Sequence, residues 1–227
     1  MRTASSFQAV ERQKPRKAPR TATRRKEPVQ ERSQRRLEAI VEAAAESFAD
    51  FGFEATTMEG IAARADTSIG SVYQFFPNKT AVFKEVATRA LDNVRATFIA
   101  LLGPAPMQRS WTELLDASID GFRRLSRTST TMRAMWRNMQ LYSEYAEEDQ
   151  RQLRDFQVQV AALLSVWAPD LSPKKRGIVA AMLVNTVATQ MLVINLDAQA
   201  DGDAILEETK LMLRGYLSTY LNPPGSG

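Results

Sequence analysis

A chain of 227 residues with an apolar fraction of 44% can build a small module plus a larger one, each with a core. It holds no cysteine and no histidine, which excludes a disulfide framework, thiolate chemistry, a Ser-His-Asp triad and a histidine-ligated zinc site, lowers the prospect of catalysis and suits a reducing cytoplasm. The formal charge of +4 is uneven: residues 1–36 carry 12 Lys/Arg against 3 Asp/Glu and the remainder is net acidic, so basic charge collects at one end, as a nucleic-acid contact requires.

Residues 1–30 contain Pro15, Pro19 and Pro28 and few large apolar side chains, and read as a disordered basic arm without signal-peptide character. Helical spacing begins at Ser33. Leu37, Ile40, Val41, Ala44, Ala45, Phe48 and Phe51 make one apolar face, and Gly52 stops it, which predicts a helix over about 33–51. Thr56 with Glu59 predicts a capping box ahead of a helix at about 58–65. Asp66-Thr67-Ser68 is a polar turn, Ser68 can cap a third helix at about 69–75, and Pro77 ends it. A long helix follows from about 78 to 102, then others at about 109–126, 129–140, 143–167, 173–196 and 202–221. No stretch alternates like a strand, and no repeat is visible. The expected fold class is all-α, with a helix-turn-helix domain at 31–80 and a larger helical domain at 81–227.

From Gly177 to Leu196 there is no charged residue, a run as long as a membrane span. Asn185, Thr186, Thr189, Gln190 and Asn195 interrupt it. Burial between its own bundle and a second subunit explains such a helix better, and no membrane partner is expected.

Three short helices with a tight turn before the third form a helix-turn-helix, whose third helix enters the major groove. That helix opens with Ser68, Ile69, Gly70 and Ser71, short enough to bring backbone near base edges. Each has a second reading: Ser68 as a cap, Gly70 as a packing site, Ile69 as a contact to a thymine methyl. The Tyr73 hydroxyl can reach a phosphate or the ring can pack. Lys79 and Thr57 stand at helix starts, where charge and free N–H groups favour phosphate.

The stretch Arg36–Phe83 resembles the DNA-binding domain of TetR-family regulators. The resemblance lies in Ala43-Ala44, Phe51-Gly52-Phe53, Thr56-Thr57-Met58, Ile61-Ala62 and the run Ser71-Val72-Tyr73-Gln74-Phe75-Phe76-Pro77-Asn78-Lys79. It implies that Thr57, Tyr73 and Lys79 hold phosphates and that Ser68, Ile69, Gly70 and Ser71 face the groove, with Gln74 beside them. It also implies that Phe48, Ile61, Ala62, Val72 and Phe76 are core. Asp66 stands where the family often has glycine, but tolerates the left-handed conformation. Phe75 replaces a common histidine, so packing is expected there.

The same resemblance implies double-stranded DNA and a small, largely apolar effector as partners, no cofactor, and a homodimer through the last two helices. Trp111, Phe122, Met132, Met135, Trp136, Met139 and Tyr142 suit a pliable pocket or plain core. Asn185 and Gln190 can reach a ligand or bridge helices or subunits. The expected mechanism is release of an inverted-repeat operator when effector shifts the fourth helix. Two other readings compete. An enzyme would have to use the carboxylate run Glu144, Glu147, Glu148 and Asp149, which reads as a solvated helix face. A basic DNA-packaging protein would bind any duplex.

Overall fold

The computed structural model describes residues 29–103, 109–197 and 199–221. Among these there are helices and no strand. The predicted arm falls almost wholly outside the described residues.

Helix α1 spans Val29–Ala55 and breaks at Gly52, whose φ of 81° places it in the left-handed region that glycine tolerates. Helix α2 is Met58–Arg64 and α3 is Ile69–Phe75. The cap of α2 lies one residue later than the sequence suggests. Thr57 Oγ1 accepts from the Gly60 N–H at 3.0 Å, whereas the Thr56 hydroxyl donates back to the Gly52 carbonyl at 2.7 Å. Asp66 turns the chain at φ 49°, and Ser68 caps α3 by accepting from the Ser71 N–H at 3.2 Å. Helix α4 is Lys79–Leu102, capped by Asn78. It starts directly after the head, so no linker separates the predicted domains at residue 80.

Helix α5 is Trp111–Thr128, with a reciprocal capping box between Ser110 and Glu113. Helix α6, Thr130–Arg137, is shorter than predicted, because Asn138 leaves helical geometry and a 3-10 turn over Met139–Glu144 follows. Helices α7 (Ala146–Trp167), α8 (Pro173–Leu196) and α9 (Gly202–Leu221) complete the bundle.

Two cores hold the molecule. One joins Ile40, Phe48, Ile61 and Val72 of the head to Phe83 and Val86 of α4 and to Met132, Met135 and Tyr145 of the larger part. Helix α6 lies against α1 and thereby carries the head's core past residue 80. The other core joins Ile119, Leu164, Val179, Leu183, Leu206 and Leu213. Helix α8 has the length and composition of a membrane span, but packs on α7 and α9. One stripe of it faces outward: Ile178, Met182, Asn185, Thr189, Val193 and Leu196, spaced three and four apart.

Candidate nucleic-acid interface and ligand cavity

The head displays α3 outward. Val72 and Phe76 are buried beneath it, and Phe75 packs against the same core. Ser68, Ile69, Gly70, Tyr73 and Gln74 are exposed, and Ser71 is half-buried. Tyr73 stands 51% exposed. The Ser68 and Ser71 hydroxyls bond to each other at 2.9 Å, so the cap and the groove-facing position are one unit. A Cβ added at Gly70 would meet nothing closer than Ser68 Oγ at 3.9 Å, so close packing does not demand glycine there. Thr57 is exposed at the start of α2.

Lys79 departs from expectation. Its ammonium does not stand out toward solvent. It donates to the carbonyls of Phe53 (2.6 Å), Thr56 (2.8 Å) and Glu54 (3.3 Å), and lies 4.3 Å from the Phe53 ring centroid. The Phe53 and Glu54 carbonyls end α1 just past the Gly52 break and that of Thr56 follows, where a helix has acceptors without intrahelical donors. The side chain therefore caps the end of α1 from the start of α4. Helix α3 itself carries no Lys or Arg.

The larger domain holds a cavity of about 210 Å³ lined by α4, α5, α6, α7, α8 and α9. Trp111, Phe122, Met132, Met135 and Trp136 line it as the sequence suggests. Met139, Tyr142 and Asn185 do not. Met139 and Tyr142 sit in the 3-10 turn beside Tyr145, whose hydroxyl donates to Met139 Sδ at 3.5 Å. Asn185 accepts from Gln157 Nε2 at 3.0 Å on the outer stripe of α8. These three expectations are corrected: the 3-10 turn and the rotation of α8 carry the side chains away from the cavity.

The sequence reading missed Asp149 and Gln152 on the wall. The carboxylate run is not one solvated face. Glu144 pairs with Lys84, and Glu148 with Arg95 and Arg151, whereas Asp149 turns inward. Burial raises the Asp149 carboxyl above the ordinary aspartate range, against the lowering effect of the Tyr142 hydroxyl, which donates to it at 2.9 Å. The signal was present. Asp149, Gln152, Phe156, Val160, Leu163 and Trp167 recur at helical spacing, with the acid at the head of the stripe.

Residues 40–86 match the family model for bacterial regulatory proteins of the tetR family, and residues 110–217 match that for the Tetracyclin repressor-like C-terminal domain. The HTH-type transcriptional repressor KstR of Mycolicibacterium smegmatis is 35% identical over 60 residues, 26% of this chain and 29% of that protein. The chain spans little more than a quarter of the length of the curated relatives it matches. A TetR-family regulator from Streptomyces coelicolor superposes with a TM-score of 0.56 at 25% identity, covering 82% of this chain and 99% of that one. SmeT in complex with triclosan superposes with a TM-score of 0.57 at 22% identity, covering 83% and 93%. With the two models together taking in more than half its length, the chain belongs to the TetR family of DNA-binding transcriptional regulators.

Proposed function

We propose that this regulator is a homodimeric repressor that holds an inverted-repeat operator through α3 and releases it when a small apolar molecule fills the cavity. The observation that carries this reading is a shared wall. Leu91, Met132 and Met135 line the cavity and also belong to the core on which α1, α2 and α3 rest. A ligand that displaces these side chains must move α4 or α6, and both bear on the head. Interiors are close-packed, so the displacement is passed on rather than absorbed. Release follows if the ligand favours the state whose heads no longer match successive grooves.

KstR is named a repressor and SmeT is named in complex with triclosan, which supports both the sign and the ligand response. The apolar outer stripe of α8, with Leu211 and Met212 exposed on α9, supports a second copy closing that face. The two-fold axis would place two copies of α3 a whole number of DNA turns apart. Tyr73 and Thr57 would hold phosphates, and Ser68, Ile69, Gly70, Ser71 and Gln74 would face bases. Because α3 has no cation of its own, the basic N-terminal segment would supply much of the salt-dependent affinity. Location in the cytoplasm goes with this role.

Selection from a random duplex library tests the reading, comparing the intact chain with Tyr73→Ala. An inverted repeat recovered by the first and lost by the second is the expected outcome. Recovery of arbitrary sequences, equal for both, would replace it with non-specific binding by the basic segment.

A further inference from the structure

Among the described residues, the cavity wall has one acidic side chain, Asp149, and no Lys or Arg. The two serine hydroxyls and the Gln152 amide nitrogen of the wall already donate elsewhere. The Ser118 hydroxyl donates to the Leu114 carbonyl at 2.7 Å, the Ser126 hydroxyl to Asn195 Oδ1 at 2.7 Å, and Gln152 Nε2 to the Leu91 carbonyl at 2.7 Å. Of the wall's buried donors, the indole N–H of Trp136 is left, without an acceptor among the described residues. An anionic ligand would find only neutral donors here and a carboxylate against it. A cation finds the reverse. Asp149 makes no ion pair among the described residues, and its one side-chain hydrogen bond there comes from the neutral Tyr142 hydroxyl. Six aromatic rings, Phe98, Trp111, Phe122, Trp136, Phe156 and Trp167, line it, and the π faces of such rings attract positive charge.

We propose, resting on the reading of this cavity as the effector site, that the effector is a lipophilic amine bound as its cation, with the ammonium group on Asp149 and the apolar body among the aromatic rings. Asp149 is placed to report the charge. It stands in the first turn of α7, beside the 3-10 turn that leads out of α6. A half-buried carboxylate without a cationic partner is costly, and an ammonium ligand removes that cost. The wall is thereby selective against fatty acids, whose tails would fit but whose heads would not.

The volume suits an apolar body of roughly eight to ten non-hydrogen atoms, judged against a cavity of about 150 Å³ that holds benzene. Octylamine, 1-octanol and octanoate therefore make a matched set. All three tryptophans of the chain line the cavity, so tryptophan fluorescence reads binding directly. Octylamine is expected to bind at least about tenfold more tightly than 1-octanol, with octanoate weakest, since a hydrogen bond to a charged partner is the stronger kind. Asp149→Asn should abolish the preference for the amine while leaving 1-octanol within about twofold of the wild type, which also shows that the variant is folded. Octanoate binding as well as octylamine, an amine preference that survives Asp149→Asn, or no binding of any of the three would each overturn the assignment. Release of operator DNA is measured in parallel. Octylamine that binds in the expected order without releasing DNA would leave the ligand class standing and remove the regulatory reading. Release by octanoate rather than octylamine would do the opposite.

Discussion

Asn138 and Phe53 join the two halves of the molecule: the Phe53 backbone N–H donates to Asn138 Oδ1 at 2.6 Å, across 85 residues of sequence. Asn138 is fully buried, and its amide also donates to the carbonyls of Phe48 (3.2 Å) and Ala134 (2.7 Å). One side chain thus ties the end of α6 to α1 on both sides of the Gly52 break. Asn138→Ala would deprive the Phe53 N–H of its Asn138 acceptor and the Phe48 carbonyl of one donor. The expected loss is about 2–4 kcal/mol of stability, and in a variant that still folds, a weakened release of DNA by ligand. Thermal melts and DNA titrations with and without ligand measure both, and an unchanged melting temperature would refute this joint.

For Lys79 the structure and the family resemblance predict different results. If the ammonium held a phosphate, Lys79→Met would lower the salt slope of DNA binding by about one. If it caps α1, the same change would leave the slope as it is and cost about 2–3 kcal/mol of stability, because several carbonyls would be without their charged donor. The second outcome is expected, and a melt alongside a salt series separates them.

Much of this architecture is legible in the sequence. The Gly52 break, the left-handed Asp66 and the Ser68 cap rest on local chemistry, and local chemistry is written in short stretches of chain. The cap of α2 falls one residue away from its expected place because Thr56 and Thr57 offer the same hydroxyl, and tertiary placement chooses between them. Lys79 and Asn138 escape a reading of the sequence for a shared reason. Their partners on α1 and just after it lie far away along the chain, and spacing says nothing about such pairs. Met139 and Tyr142 lie off the cavity because the helix stops at Asn138, and a 3-10 turn rotates side chains off an α-helical register.

Gly70→Ala separates fold from recognition. The added methyl has room, and alanine favours a helix interior by about 0.8–1 kcal/mol. The melting temperature should hold or rise. DNA affinity should fall, because the methyl projects from the exposed surface of α3 where backbone would approach base edges. A variant that binds its operator as well as the wild type would remove Gly70 from the interface.

Asp149 gives the protein a pH signature. Burial raises its carboxyl, so the fold prefers the protonated form. That preference favours the folded state at pH values below the unfolded carboxyl's range and is lost as pH rises through the folded value. Asp149→Asn should melt with the wild type at about pH 4 and become the more stable of the two toward about pH 7. An asparagine that melts lower at neutral pH would mean that the carboxylate already has a partner.

The outward stripe of α8 has a consequence for dosage. Met182, 52% exposed, and its apolar neighbours are costly to leave in water, so the monomer should be scarce and short-lived if a second copy covers them. Below the dissociation constant of such a pair, the active species grows as the square of the amount of chain made. A doubling of expression would then give about a fourfold rise in occupied operator. A cell carrying this protein would thus hold a threshold in its copy number, and Met182→Glu should move that threshold upward without touching the DNA-binding surface or the cavity.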